Sequence, residues 1–180
     1  MFYDSALLSN LAKQLAMLAN SRVQDISRSV ATGTSTLYPP EITGAVLGFV
    51  PHLLEKAIIT SPALPGDVAA ELNSMVLAEF EEATETICNA GGLPDPTRKA
   101  LFNASFHFMF KREYNALKPM IDGLWHMARE EQNPLDLVSF GLLKYCEHSS
   151  GTSLESEAAI KRVSQEIQRL FSDIHAAVQS

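Results

Sequence analysis

Apolar residues in this chain recur mostly at intervals of three and four, a spacing that places them on one face of an α-helix. The clearest series lies near the N-terminus and consists of Leu8, Ala12, Leu15, Ala19, Val23, Ile26 and Val30. It predicts an amphipathic helix over Ser5–Ala31, with Asp4 or Ser5 as the N-cap. No segment shows the strict alternation of apolar and polar residues that is typical of a half-buried β-strand. The sequence therefore predicts an all-α protein.

A second amphipathic series lies near the C-terminus and consists of Ile160, Val163, Ile167, Leu170, Ile174 and Ala177. It predicts a helix over Leu154–Val178, and Thr152 with Glu155 has the spacing of a capping box. Both end helices have narrow apolar seams of the coiled-coil type. We therefore expect them to pack against each other or across a subunit boundary.

Prolines and glycines divide the middle of the chain. Pro39–Pro40 predicts the start of a second helix, which is apolar nearly all round and should be internal. We expect Pro51 to kink or split this helix. Gly44 and Gly48 lie four residues apart, and we expect them to let another helix approach closely.

The remaining boundaries follow the same signals. Asp67 should cap a third helix that Gly91–Gly92 ends, and Asp95–Pro96 should begin a fourth. Lys118–Pro119 should break or bend the fourth helix, so that a separate fifth segment follows, and Asn133–Pro134 should begin another. Residues 1–180 are thus predicted to form a single-domain helical bundle of six to eight helices.

The fourth helix contains the most aromatic stretch of the chain. At 100° per residue, an arc of about 200° holds most of its apolar side chains and leaves His107 on the polar side. His107 is therefore interpreted as partly exposed rather than as a ligand, and the helix as the central one of the bundle. Arg112 and Glu113 point into the apolar sector, either at the helix periphery or towards buried partners. The apolar arc consists of Leu101, Phe102, Phe106, Phe108, Met109, Phe110, Ala116 and Leu117.

The net charge of −7 is concentrated in residues 67–88, which hold six acidic and no basic residues. An acidic balance argues against nucleic acid as a partner, because phosphate contacts need clustered Lys and Arg. Four of these six acidic residues lie close together in the sequence, namely Glu79, Glu81, Glu82 and Glu85. These residues are predicted either to form a solvated face or to bind a basic protein partner.

The composition also limits the location of the protein. Cys88 and Cys146 are far apart and form no metal-type pair, so we interpret them as buried, reduced thiols of a cytoplasmic protein. The N-terminus lacks the basic region of a secretory signal. The most hydrophobic segment, Ile42–Ile59, is interrupted by proline and charged residues, so no membrane association is predicted.

The best candidate for a small-ligand site follows Pro119. Asp122, His126 and Glu130 recur at intervals of four on one side of a helix, with Trp125 on the other side. Together with Arg112 they could anchor a ligand in an aromatic pocket, and the alternative is a solvated polar face. Three ligands along one helix rarely enclose an ion, so no metal and no cofactor is predicted. No catalytic residue is assigned, because the common catalytic motifs do not occur.

The stretch Arg22–Pro40 resembles the helix-turn-helix of TetR-type repressors, which implies a DNA-binding regulator. Ser27, Ala31 and Pro39–Pro40 depart from that pattern, and only two arginines in the stretch are basic. The residues that match are Val23, Ile26, Ser35, Thr36, Leu37 and Tyr38.

Three functional hypotheses follow. The first is a non-catalytic cytoplasmic protein that acts through protein–protein association, most simply as a homodimer. The second is a small-ligand-binding sensor or enzyme with a pocket around Trp125 and His126. The third is a degenerate helix-turn-helix regulator of the TetR type.

Overall fold

The computed structural model of the chain describes residues 4–32, 40–89, 96–131, 133–150 and 157–179. Within these ranges the chain forms six α-helices and no β-strand. The helices are α1 (Ser5–Ala31), α2 (Pro40–Ile59), α3 (Gly66–Asn89), α4 (Pro96–Glu131), α5 (Pro134–Ser150) and α6 (Glu157–Gln179). The predicted all-α helical bundle is confirmed.

Helix α2 occupies the centre of the bundle, because it packs against each of the other five helices. The prediction that this helix is internal is confirmed. The prediction that the aromatic fourth helix is the central one is wrong: α4 packs mainly on α2 and α5, and beyond Met109 much of its circumference is exposed. The buried apolar residues of α2 are Ile42, Ala45, Val46, Phe49, Val50, Leu53, Leu54, Ala57 and Ile58.

Neither internal proline ends its helix. Helix α2 continues through Pro51, and α4 continues through Pro119 as a single helix of 36 residues. The separate segment predicted after Lys118–Pro119 is therefore wrong, and of the two alternatives for Pro51, a kink or a split, the split is wrong. A proline removes one helical hydrogen bond, but here α4 is tied to α2 on both sides of Pro119. Lys118 pairs with Glu55 of α2, and Asp122, one turn later, pairs with Lys56 of α2.

The two end helices pack against each other within the chain. Arg22 of α1 donates to Asp173 of α6 at 2.6 Å. The predicted bounds of α1 are confirmed, and Asp4 caps it by accepting from the amide of Ala6 at 3.2 Å. Helix α6 is described from Glu157, and the three predicted helical residues before it lie outside the described residues, as does the proposed capping box.

The other predicted boundaries have mixed outcomes. Helix α5 begins at Pro134, and Asn133 caps it by accepting from the amide of Leu135 at 3.1 Å, as expected. Helix α3 begins at Gly66, so Asp67 lies in its first turn rather than at the cap position. Helix α4 begins at Pro96 as expected, whereas Gly91–Gly92 lies outside the described residues.

Gly48 is the point of closest approach between α2 and α4. A Cβ atom at this position would lie 2.7 Å from Cβ of Glu113 and 2.8 Å from the backbone of Glu113 and Tyr114. Backbone atoms cannot move aside as a side chain can, so only glycine permits this approach. The expectation for Gly48 is confirmed. The same expectation for Gly44 is wrong, since no atom lies within 4 Å of a Cβ built there.

Helix α2 is also the most hydrophobic segment. By length and composition, Ile42–Ile59 is the one stretch of the described chain that could cross a membrane. Because 67% of it is buried inside the bundle, its apolar character is also that of an internal helix of a folded domain.

The two glycines of α2 provide a matched test of this packing. We expect Gly48→Ala to lower the free energy of unfolding by about 1–3 kcal/mol, because its methyl group meets the backbone of α4. Gly44→Ala should be neutral or raise the free energy by up to about 1 kcal/mol through its better helix propensity. Urea unfolding of both variants measures the difference. Equal effects at the two positions would show that α2 and α4 do not approach at Gly48.

Candidate functional site

The structure does not gather the residues of the predicted small-ligand site into one pocket. Trp125 is buried, and its ring stacks on Phe171 of α6 with the ring centroids 5.7 Å apart. His126 is exposed on the opposite side of α4. The side chain of Glu130 lies outside the described residues, and Arg112 lies at the surface beside Glu113.

Asp122 belongs instead to a group of charges that joins α2 to α4. Its carboxylate lies 2.5 Å from Nζ of Lys56 and 3.3 Å from Nζ of Lys118. Lys118 in turn lies 3.6 Å from the carboxylate of Glu55. We call Glu55, Lys56, Lys118 and Asp122 the α2–α4 charge cluster. It contains two positive and two negative groups, so its charges balance within the chain.

His52 lies beneath this cluster and is only 1% exposed. Its ring stacks on the Tyr114 ring, with centroids 4.1 Å apart, and its Nε2 donates to the Tyr114 carbonyl at 2.8 Å. A carbonyl only accepts, so the hydrogen is on Nε2. Nδ1 lies 4.0 Å from the Glu55 carboxylate, which is longer than a hydrogen bond. The imidazole therefore serves to join α2 to α4.

The surroundings hold both carboxylates of the cluster in their ionised forms. The pKa of Glu55 is lowered against the opposing effect of burial, because its carboxylate lies near the positive charges of Lys118 and Lys56. Burial acts to raise the pKa of Asp122, but hydrogen bonds from Lys56 and Lys118 outweigh it and bring the pKa below its ordinary value. A general base working near neutral pH needs a raised carboxyl pKa. The cluster is thus suited to clamping two helices together.

Glu113 is a buried carboxylate, 9% exposed, at the point where α4 meets Gly48. The Tyr145 hydroxyl of α5 donates to one of its oxygens at 2.6 Å, and Arg112 donates to the other at 2.6 and 3.0 Å. The sequence analysis allowed two positions for Arg112 and Glu113, either at the helix periphery or paired with partners in the interior. The structure gives a different answer for each: Glu113 is paired inside, and Arg112 reaches it from the surface.

This buried carboxylate also affects two neighbours on α5. Burial and the bond to Glu113 raise the pKa of Tyr145 to about 12. Burial, with a smaller effect of Glu113, raises the pKa of the Cys146 thiol to about 12. Cys146 is buried, and a buried thiol with a raised pKa is an inert packing residue rather than a nucleophile. The side chain of Cys88 lies outside the described residues.

The acidic residues of α3 divide between two environments. Glu79 and Glu82 line a small cleft of about 360 Å³ between α1 and α3, opposite Lys13. Glu81 and Glu85 lie outside this cleft, are half-buried and interact with other residues of the chain. The surface offered to a basic partner is therefore narrower than the acidic run in the sequence indicates.

The solvent-facing side of α4 beyond Met109 is divided lengthwise into a polar and an apolar half. The polar half contains Lys111, Asn115, Lys118, Asp122 and His126. The apolar half, which we call the outward stripe of α4, consists of Met109, Ala116, Pro119, Met120, Gly123 and Met127. All of these are exposed except Met120, which is half-buried.

The sequence projection placed Met109 and Ala116 in the buried arc of this helix, and that assignment is wrong. Met109 is 49% exposed and Ala116 is exposed, whereas Phe110 and Leu117 of the same arc are buried. The reason is that α4 has neighbours on less of its circumference than a central helix has. The aromatic residues at positions 102, 106 and 108 and His107 have side chains outside the described part of the chain.

The stretch that resembles a helix-turn-helix lies partly outside the described residues, which omit 33–39. Its first half is the last part of α1, a continuous helix that ends at Ala31. Val23 and Ile26 are buried in the core, and the Arg22 guanidinium is bound to Asp173. A DNA-binding role for this stretch stays a prediction.

No group of three or more His, Cys, Asp or Glu side chains in the described ranges is arranged to hold a metal ion. No known protein family, curated protein or solved structure matches this chain. The function is therefore argued from the surfaces and clefts of the bundle itself.

The charge cluster leads to a prediction about pH. A carboxylate whose pKa is lowered in the folded protein stabilises the fold at pH values above its ordinary pKa. This stabilisation is lost as the pH falls through the lowered pKa of the folded state. We expect Glu55→Gln to lower the free energy of unfolding by about 1–3 kcal/mol near neutral pH. The difference from the wild type should shrink as the pH falls below 4.5, the ordinary value for glutamate.

Urea unfolding at a series of pH values measures this difference. Glu71→Gln, on the exposed side of α3, is the control for the loss of one negative charge. A difference between wild type and Glu55→Gln that stays constant or grows at low pH would contradict the arrangement.

Two tyrosines of this region give a second matched comparison. Tyr145→Phe should lower the free energy of unfolding by about 1–3 kcal/mol, because the buried Glu113 carboxylate loses a donor. Tyr114→Phe should have little effect, since the ring stacked on His52 is kept and its hydroxyl has no hydrogen bond in the described part of the chain. Denaturant unfolding of both variants provides the measurement. A smaller loss for Tyr145→Phe than for Tyr114→Phe would be inconsistent with this role of the hydroxyl.

Proposed function

We propose that this chain is a non-catalytic helical protein that acts through association, first of all with a second copy of itself through the outward stripe of α4. The observation that supports the proposal is the stripe itself, a mainly apolar surface that follows one helix for about five turns and has Arg112 in its sector. Exposed apolar patches of this kind are typical of association surfaces, and methionine is enriched at interfaces. A cytoplasmic location stays a prediction.

The sizes of the residues along the stripe favour another helix as the partner. Its middle consists of the small or compact residues Ala116, Pro119 and Gly123. Met109 and Met127 lie at its two ends and are 49% and 62% exposed. A helix crossing the middle could approach closely, while the flexible methionines pack on either side of it.

The symmetry of the stripe favours a second copy over an unrelated helix. Met109 and Met127 each lie nine residues from Lys118 in the sequence. An antiparallel pair of α4 helices, related by a two-fold axis that crosses the stripe at the level of Lys118 along the helix, would place Met109 of one protomer against Met127 of the other. A two-fold interface needs a self-complementary surface of this kind.

The charges of α4 do not oppose such pairing. The chain carries a net charge of −7, which repels a second copy at long range. Among the described side chains in the sector of the stripe, however, Arg112 is the charged one, and it forms an ion pair with Glu113 of the same chain. Of the charged residues of the polar half, Lys118 and Asp122 pair with each other and with α2 in the charge cluster.

Gly123→Glu tests the proposal without disturbing the fold. A side chain here has free space within the protomer, since no atom lies within 4 Å of the Cβ position. Replacing an exposed helical glycine also improves helix propensity by about 0.5–1 kcal/mol. We expect the wild type to form dimers in sedimentation velocity experiments over a range of concentrations. Gly123→Glu should be monomeric and at least as stable to denaturant.

Leu7→Glu is the matched control, because Leu7 is an exposed apolar residue of α1 outside the stripe. It receives the same new charge and should dimerise as the wild type does. A wild type that is monomeric at all concentrations, or a dimer that survives Gly123→Glu, would refute the proposal.

The antiparallel arrangement has a separate test by charge exchange. Met109→Glu and Met127→Lys should each weaken the dimer by about tenfold or more, since each places a charge against an apolar partner residue. The double variant should recover much of the affinity, because an antiparallel pair places the new glutamate opposite the new lysine. In a parallel dimer, like charges would meet and the double variant would remain weak. Sedimentation equilibrium provides the dissociation constants.

A further inference from the structure

A larger cleft of about 500 Å³ lies between α1, α2 and α3. Its volume is in the range of about 300–1,000 Å³ that is common for small-molecule sites. Apolar walls come from Val23 of α1, Leu47 of α2 and Ala83 of α3, and Met17, which is exposed, lies at its rim. The lining residues in the described part of the chain include none of the outward stripe of α4.

Of the side chains in the described ranges that line the cleft, none is ionisable. A charged ligand would lose hydration there without meeting an opposite charge, which is costly in free energy. The polar groups that line it are hydroxyls and amides. The cleft therefore favours an uncharged molecule.

The most deeply buried polar groups of the cleft are Asn20 and Thr84, which are 8% and 3% exposed. The Asn20 amide donates to the carbonyls of Ala16 and Phe80, at 3.2 and 3.3 Å. The Thr84 hydroxyl lies 2.6 Å from Oδ1 of Asn20 and 2.7 Å from the Phe80 carbonyl. The amide orientation is fixed, because reversing it would direct its oxygen at two carbonyl oxygens.

This pair of side chains has more acceptors than donors. Both amide hydrogens of Asn20 are used, and the single hydroxyl hydrogen of Thr84 faces two oxygen atoms. Lone pairs remain on Oδ1 of Asn20 and on Oγ1 of Thr84. A ligand group that binds to Asn20 and Thr84 must therefore donate the hydrogen bond.

We propose that the cleft between α1, α2 and α3 binds a small, uncharged, mainly apolar molecule that donates one O–H or N–H hydrogen bond to Asn20 and Thr84. The proposal does not depend on dimer formation through α4. The apolar walls supply most of the binding free energy, and the single donor fixes the orientation of the ligand.

Pairs of compounds that differ only in the donor test this site. The probes are 2-naphthol with 2-methoxynaphthalene, and indole with 1-methylindole. The donor compounds should bind and shift the amide resonances of Asn20, Ala83 and Thr84 in heteronuclear NMR spectra. Their methylated partners should bind about tenfold more weakly or less, which corresponds to the loss of one hydrogen bond.

Thr84→Val removes the hydroxyl while keeping the shape of the side chain. It should weaken binding of the donor compounds by about tenfold and leave the methylated compounds nearly unchanged, so that the two members of each pair converge. Thr86→Val, at an exposed threonine of the same helix that does not line this cleft, is the control and should behave as the wild type.

Three results would overturn the proposal. The donor and methylated compounds could bind the wild type equally, the resonance shifts could map away from the cleft, or neither donor compound could bind at millimolar concentration. The first two results are read on the wild-type protein, so they decide the matter even if Thr84→Val does not fold.

Discussion

The close approach of α2 and α4 at Gly48 is the constraint on which much of this structure depends. With the backbone of α4 against a residue that has no side chain, Glu113 is driven into the interior. A buried carboxylate is tolerated only when its charge is paired and hydrogen-bonded. Tyr145 of α5 and Arg112 provide that pairing, so the contact at Gly48 also determines how α5 attaches to α4.

The same approach accounts for the polar residues further along the two helices. Four residues after Gly48, His52 lies against Tyr114 and reaches its carbonyl, and the charge cluster follows at Glu55 and Lys56. At the end of α2, His175 of α6 lies 3.0 Å from the Ala57 carbonyl. That carbonyl is among the last four of the helix, which lack partners within it. Each of these polar groups therefore joins α2 to a neighbouring helix.

The sequence predicts the helices well and their mutual arrangement less well. The bounds of α1, the start of α5 and the internal position of α2 follow from spacing, capping residues and apolar content, which are local properties. No local signal indicates that α4 continues through Pro119, where ion pairs between residues more than 60 positions apart join it to α2 on both sides of the proline. A helical projection shows which residues share a face, but it cannot show which faces have neighbours. For that reason Met109 and Ala116 could be counted as buried.

The candidate sites illustrate the same limit. Asp122, His126 and Glu130 are prominent in the sequence because they share one side of a helix, yet Asp122 is bound by two lysines and His126 faces solvent. The features that support a function here come from contacts between helices. Asn20 and Thr84 are 64 residues apart, and neither residue type is unusual in its own segment. The excess of hydrogen-bond acceptors over donors in this pair arises only because the fold places α1 beside α3.

The position of α2 separates the two proposed sites. Helices α1 and α4 each pack against α2 and have no substantial contact with each other in the described part of the chain. The cleft lies on the α1–α3 side of α2, and the outward stripe lies on α4. Coupling between them would require α2 to move as a unit, because its buried side chains contact every other helix. Interiors are closely packed and resist small continuous shifts. We therefore expect that ligand binding in the cleft leaves the free energy of association through α4 unchanged. A ligand that moves α2 at Gly48 would be the exception.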